Sequence, residues 1–156
     1  DDVATGITGL REAGVRAPVL GGDGLDIGAA WKEIPKTRDV YFTTHAYLGA
    51  DNPDLTVRRF RALYAAAHPG KEPDAFTALG YDAARLLLSA IERAGTSEPG
   101  PVRTALAATT GFKGVTGEIS YVGGSRIPAK SVTIMRVVGT RQEFAATILP
   151  KKIPAP

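Results

Sequence analysis

Apolar residues recur along this chain at two alternating periods, and the alternation predicts an order of helices and strands. Val3, Ile7 and Leu10 are spaced to share one face of a helix, and Gly14 follows as a left-handed stop. Ala17–Leu20 reads as a short buried strand that ends in the turn Gly21–Gly22–Asp23–Gly24. A second helix is expected over Asp26–Glu33. Val40–Thr44, β-branched and aromatic, predicts another strand. Two rounds of helix then strand imply α/β architecture with a parallel sheet flanked by helices. At Asn52–Pro53 a helix start is expected, with Asn as the cap and Pro at the first helical position. Phe60, Leu63, Tyr64 and Ala67 form its stripe, and His68–Pro69–Gly70 ends it. The longest predicted helix runs from Pro73–Asp74 to Gly95, with Phe76, Leu79, Ala83, Leu87, Ala90 and Ile91 on one face. Pro99 to Ala108 forms a shorter helix with Val102, Ala105 and Leu106 inward. Beyond Gly111 the period changes to two: Val115–Tyr121 and Val132–Val138 read as strands, with a turn at Gly123–Gly124 between them. Phe144–Leu149 is the last strand, and Lys151–Pro156 a loose tail.

Composition narrows the class. Of 156 residues, 44% are hydrophobic and 22% charged, a globular balance. No apolar run reaches membrane-span length. The net charge of +3 comes from 19 basic residues scattered among 16 acidic ones. No basic stripe interleaved with aromatics is present, so no nucleic-acid partner is expected. The absence of cysteine removes disulfides, thiolate nucleophiles and Cys-zinc centres. His45 and His68 are too few for a His-rich metal site. Gly70–Lys71 is followed by Glu72, so no phosphate-binding loop is formed there, and no G-x-S-x-G, H-E-x-x-H or G-x-G-x-x-G motif occurs. The expectation is a protein that is not an enzyme and takes no cofactor. Opening at Asp1, directly on a helical pattern, the chain reads as part of a longer protein whose export signal lies upstream.

Four segments, in order, carry a resemblance. Leu10–Gly24, LREAGVRAPVLGGDG, resembles the helix–strand–turn of the periplasmic leucine/isoleucine/valine-binding proteins of ABC importers. Asp39–Tyr47, DVYFTTHAY, resembles the strand that follows there. Pro73–Gly95 resembles the family's long helix, with Tyr81–Asp82 as its typical pair, and Gly111–Val137 its closing β segment. The resemblance implies a type I periplasmic-binding-protein fold, two α/β lobes around a ligand cleft, of which this chain is the incomplete carboxy-terminal half. Residues 1–47 would belong to the second lobe, 48–124 would return to the first, and 125–156 would go back to the second. It further implies an extracytoplasmic location, periplasmic or extracellular, and a membrane permease as partner. The solute would be an amino acid or a related carboxylate, captured by hinge closure. A ligand-sensing receptor or regulator of the same fold is the alternative. Helices that would cover an absent sheet imply either the missing amino-terminal half or self-association.

Candidate site residues follow. Asp23 lies just past a predicted parallel strand, at the carboxyl end where α/β sheets bind ligands. By resemblance, its position carries an acid that pairs with a bound α-amino group; the plain alternative is a solvated Asp in a Gly-rich turn. Gly22 and Gly24 would let the backbone approach a ligand, or would simply form the turn. His45 and Tyr47 would line the mouth of the cleft, or sit on an exposed loop. Phe76 falls near an aromatic wall in the resemblance, yet also fits the core stripe of its helix. Tyr81 and Trp31 are expected in packing, Asp82 as a lobe-stabilising acid, and His68 as a helix-end residue favourable to the dipole.

Overall fold

The computed structural model describes residues 2–34, 37–121 and 123–150, so the tail expected over Lys151–Pro156 lies outside the described residues. In chain order the elements are α1 (Asp2–Glu12), β1 (Val19–Gly21), two 3-10 turns (Asp23–Leu25 and Gly28–Glu33) and β2 (Thr37–Thr44). Then come α2 (Leu55–Ala67), α3 (Ala75–Ala94), α4 (Pro99–Ala107), β3 (Phe112–Gly114), β4 (Gly117–Ile119), β5 (Val132–Gly139) and β6 (Arg141–Ile148). Two compact units divide the chain: one runs up to His45 and takes in Val132–Ile148, the other comprises Ala46–Ser131 with the residues after Ile148. Among the described residues, no helix is long and apolar enough to cross a membrane.

The first unit is built on a four-stranded sheet in the order β1-β2-β5-β6. β1 and β2 pair in parallel, Val19 opposite Val40 and Gly21 opposite Phe42. The sheet is mixed rather than parallel throughout: β5 runs antiparallel to β2, and β6 antiparallel to β5. The last pairing follows from the turn after β5, where Gly139 at φ +65 reverses the chain into a hairpin. At the start of β2 the register shifts between Thr37 and Val40, and Asp39 takes φ +55. Val40, Phe42, Met135 and Val137 are buried, with Ile7 of α1 and Ile34. Trp31 is fully buried and stacks on Phe42 at 6.3 Å between ring centres, as expected of a packing residue. The helix expected over Asp26–Glu33 is instead a 3-10 segment from Gly28. Gly28 at φ +54 is incompatible with an α-helix running through from Asp26.

In the second unit, α2 is capped by Asp54 rather than Asn52. Asp54 Oδ1 accepts from the amides of Thr56 and Val57, at 2.6 and 3.3 Å, while Asn52 Oδ1 accepts from the Asp54 amide at 2.9 Å. Pro53 therefore precedes the helix. α3 carries both of its sequence signals: Asp74 caps it through the Thr77 amide at 2.7 Å, and Gly95 at φ +66 closes it with a hydrogen bond to Ile91 O. Its buried residues are Ala75, Ala78, Asp82, Leu86 and Ala90. That face is turned by about one residue from the predicted stripe, roughly 100° around the axis. Phe76 and Leu87 are exposed. α4 buries Val102 as expected.

The strand expected over Val115–Tyr121 is a hairpin, β3 with β4, Lys113 opposite Glu118 and Gly114 opposite Gly117. Its turn residues Val115 and Thr116 are held by Asp82, which is buried on α3. Asp82 Oδ1 accepts from the Val115 amide at 2.8 Å; Oδ2 accepts from the Thr116 amide at 2.7 Å and its hydroxyl at 2.8 Å. The expected stabilising acid is thus a helix-to-hairpin clamp inside the second unit. Around it, Phe60, Val57, Ala78 and Val115 form the core, with Tyr81 5.0 Å from Phe60 and Arg85 resting on the rings of Tyr81 and Phe112. Lys130 is half-buried; burial pushes its ammonium below the usual lysine range, and the charge of Asp82 partly offsets this.

Candidate functional site

The loop that leaves β1 is fixed before it reaches solvent. Gly21 packs so closely on Leu25 that a Cβ there would overlap its side chain. The indole Nε1 of Trp31 donates to Leu25 O at 3.2 Å. Asp26 then ties the loop to two strands: Oδ2 accepts from Thr44 Oγ1 at 2.5 Å and Oδ1 from Gln142 Nε2 at 3.2 Å. A loop held at Leu25 and Asp26 presents Asp23 in a set position, which is how a binding group avoids ordering costs when a ligand arrives.

Asp23 keeps 52% of its side chain exposed, and its Oδ2 lies 3.2 Å from Nε2 of His45, itself 35% exposed. His45 directly follows β2. Because β1 and β2 are parallel, Asp23 and His45 emerge together at their carboxyl ends, the edge where open α/β sheets bind ligands. Gly22 and Gly24 flank Asp23. A Cβ at either would meet nothing within 4 Å, and Gly22 is extended at φ −82, ψ −165. Neither close packing nor a left-handed backbone requires glycine at these two positions.

Tyr47 and Phe76 belong to the second unit. The Tyr47 hydroxyl donates to Asp51 Oδ1, and Tyr47 O accepts from Asn52 Nδ2 at 2.6 Å, closing a tight loop. Phe76 stands on the first turn of α3, 58% exposed and off the buried stripe. His68 ends α2, its amide bonded to Tyr64 O and its ring 4.6 Å from that of Tyr64. The structure therefore brings together Asp23, Gly22, Gly24 and His45, in one unit.

Sequence reading passed over Asp26, Thr44 and Gln142, which hold the Asp23 loop. The local signal for Asp26 was a second acid three residues beyond Asp23. Its partners lie 18 and 116 residues away, which no local pattern displays. Chemically, an exposed carboxylate on a fixed loop with an imidazole beside it can receive an ammonium group or a hydrogen-bond donor. Among the described residues, no group of three or more His, Cys, Asp or Glu is arranged to hold a metal ion.

Comparison with known proteins gives a consistent result. The periplasmic binding protein family matches residues 1–142. A leucine binding protein from Thermotoga maritima is 33% identical with a TM-score of 0.78, over 96% of this chain and 42% of that one. A branched-chain amino acid transporter substrate binding protein from Streptococcus pneumoniae, in complex with isoleucine, is 26% identical, also with a TM-score of 0.78 over 96% and 42%. A solute binding protein from R. palustris in complex with benzoate shares the fold at 19% identity and a TM-score of 0.70, over 95% of this chain and 41% of that one. This chain thus spans under half the length of these solved relatives. Among curated proteins, none matches.

Proposed function

This chain belongs to the periplasmic binding protein family, and from that premise we propose that it is the carboxy-terminal part of an extracytoplasmic solute-binding component of an ABC importer. The solute is an amino acid or a related small carboxylate, captured by hinge closure of the whole protein and handed to a membrane permease. Asp23 carries the reading: a half-exposed carboxylate on a loop fixed through Leu25 and Asp26, at the carboxyl end of a parallel strand pair. It supplies the acceptor that a bound ammonium needs when water is excluded. His45 holds the carboxylate in place until the ammonium arrives. Gly22 and Gly24, which the fold itself does not demand, leave the backbone open to the ligand. Tyr47 and Phe76 supply apolar surface. The division of the chain after His45 and after Ser131 supports a path from one lobe to the other and back. The location that fits this role is the periplasm or the cell exterior, and the role involves no catalysis.

The test is a thermal-shift series on the full-length protein with aliphatic amino acids and aromatic acids. A ligand at a hundred times its Kd stabilises the folded state by about 2.7 kcal/mol, an easily seen rise in Tm. Flat melting curves across both sets overturn the capture role. Asp23→Asn weakens an amine-bearing ligand about tenfold or more, as loss of a charge-assisted bond requires, and leaves a simple carboxylic acid nearly unchanged. Equal weakening of both ligand types removes Asp23 as the ammonium partner.

A further inference from the structure

A second charged feature lies in the first unit, at the amino-terminal end of the parallel strands. Arg11, Arg16, Arg38 and Asp39 line a groove of about 430 Å³. Arg16 precedes β1 and Arg38 is the second residue of β2, whereas Asp23 and His45 follow these strands. From Arg38 to His45 the chain runs seven residue steps along most of β2, a separation on the order of 20 Å. The groove is therefore distinct from the site already described.

Arg11 organises it. Its Nη1 donates to Val15 O and to Ala17 O, both at 2.9 Å, and its Nη2 to Arg38 O at 2.9 Å. One guanidinium thus pins the end of α1, the loop before β1 and the start of β2, and brings Arg16 and Arg38 to the same opening. Its Nε is buried and has no acceptor among the described residues. Nor does any carboxylate there form an ion pair with Arg11, Arg16 or Arg38. A cation satisfied only by carbonyl dipoles, with a buried donor unmet, favours a counter-anion nearby. Arg16 and Arg38 are exposed and able to supply forked donors to it. Asp39 sits in the left-handed region at φ +55, within the register shift of β2. A bulge of this kind re-aims a side chain, and few residues other than glycine hold that backbone. Three guanidinium groups against one carboxylate leave two net positive charges, matching a phosphate dianion.

We propose that this groove is an oxyanion site of phosphate chemistry, taking either free phosphate or the phosphate of a lipid headgroup. Calorimetric titration of the full-length protein with inorganic phosphate, at constant ionic strength, gives saturable binding. Arg16→Ala with Arg38→Ala weakens it at least tenfold, and Arg103→Ala, an exposed arginine on α4, leaves it unchanged. Neither Arg16 nor Arg38 uses its side chain to hold the backbone, so the double variant keeps its fold, checked by its melting curve. Flotation with phosphatidylglycerol vesicles against phosphatidylcholine vesicles separates the sources. Capture by the anionic vesicles, lost in the double variant, assigns a headgroup; phosphate binding without capture assigns the free ion. Absence of both saturable phosphate binding and vesicle capture overturns the proposal. So does an equal loss in Arg103→Ala, which would mean unspecific charge attraction.

Discussion

At the scale of single residues, Asp82 shows how one side chain fixes two distant segments. Its carboxylate is almost fully buried and takes three hydrogen bonds from Val115 and Thr116, with Arg85 Nη1 at 3.9 Å. Deleting it leaves two buried amides and a hydroxyl without acceptors, and each such loss costs about 1–3 kcal/mol. Asp82→Ala is therefore expected to destabilise the protein by roughly 3 kcal/mol or more, read from the denaturant midpoint. Gly114 tests the same clamp from the other side. A Cβ there would stand 2.5 Å from Asp82 Oδ2 and 3.0 Å from Gly117 O, so Gly114→Ala must push the carboxylate off the turn. Gly24→Ala, with open space around it, should move the midpoint by no more than about 0.5 kcal/mol. Equal effects of the two glycine variants would mean that the clamp contributes little.

At the scale of elements, α3 is the instructive case. Its ends were legible because capping is local chemistry: Asp74 bonds to the Thr77 amide and hydroxyl at 2.7 and 2.6 Å, and Gly95 supplies the left-handed close. The hydrogen bond from the Thr77 side chain, chiefly, holds the Asp74 carboxyl below the usual carboxylate range. A folded-state value depressed in this way adds stability that is fully present above the unfolded value of 3.8 and is lost as pH falls through the lower folded value. Asp74→Ala should thus cost about 1 kcal/mol at neutral pH. Because the side chain is exposed, solvent screening keeps the charge-dependent part small. The gap between variant and parent in thermal melts should narrow only below about pH 4, the carboxyl range; a gap independent of pH would assign the cap no ionic part. The face of α3 was not legible. Ala75, Ala78 and Leu86 offer one apolar stripe and Phe76, Ala83 and Leu87 another, so period alone does not choose between them. The choice fell to Asp82, whose burial depends on amides more than thirty residues away. Val115–Tyr121 misled for a related reason. Its alternation is real, but Gly117 at φ +107 turns the chain where a strand would continue. In the candidate site, the place of Asp23 just after a β strand was legible, while the Asp26 bonds that hold its loop were not.

At the scale of the whole molecule, several of the exposed apolar residues stand on two helices that share a core. Leu55 and Leu63 on α2 and Leu87 and Leu88 on α3, all in the second unit, are each between 45% and 76% exposed. Single exposed leucines are ordinary, but several on the outer faces of neighbouring elements point to a covering partner. The proposed occupant is the remainder of the binding protein, since this chain spans 42% of the leucine binding protein it resembles. Leu87→Ala separates this from ordinary surface exposure. Measured on the present 156-residue chain, the substitution removes side-chain atoms already facing water, and the unfolding free energy should shift by no more than about 0.5 kcal/mol. Covering of this face by the remainder of the protein would pack the same leucine in the full-length form, where truncation should cost about 2–5 kcal/mol from lost transfer energy and the cavity left behind. Light scattering gives a parallel reading: the shorter chain should self-associate through these faces, and Leu63→Glu with Leu87→Glu should reduce that association. If Leu87→Ala has the same small effect in both lengths of chain, the α3 face meets water in the complete protein and the covering half lies elsewhere.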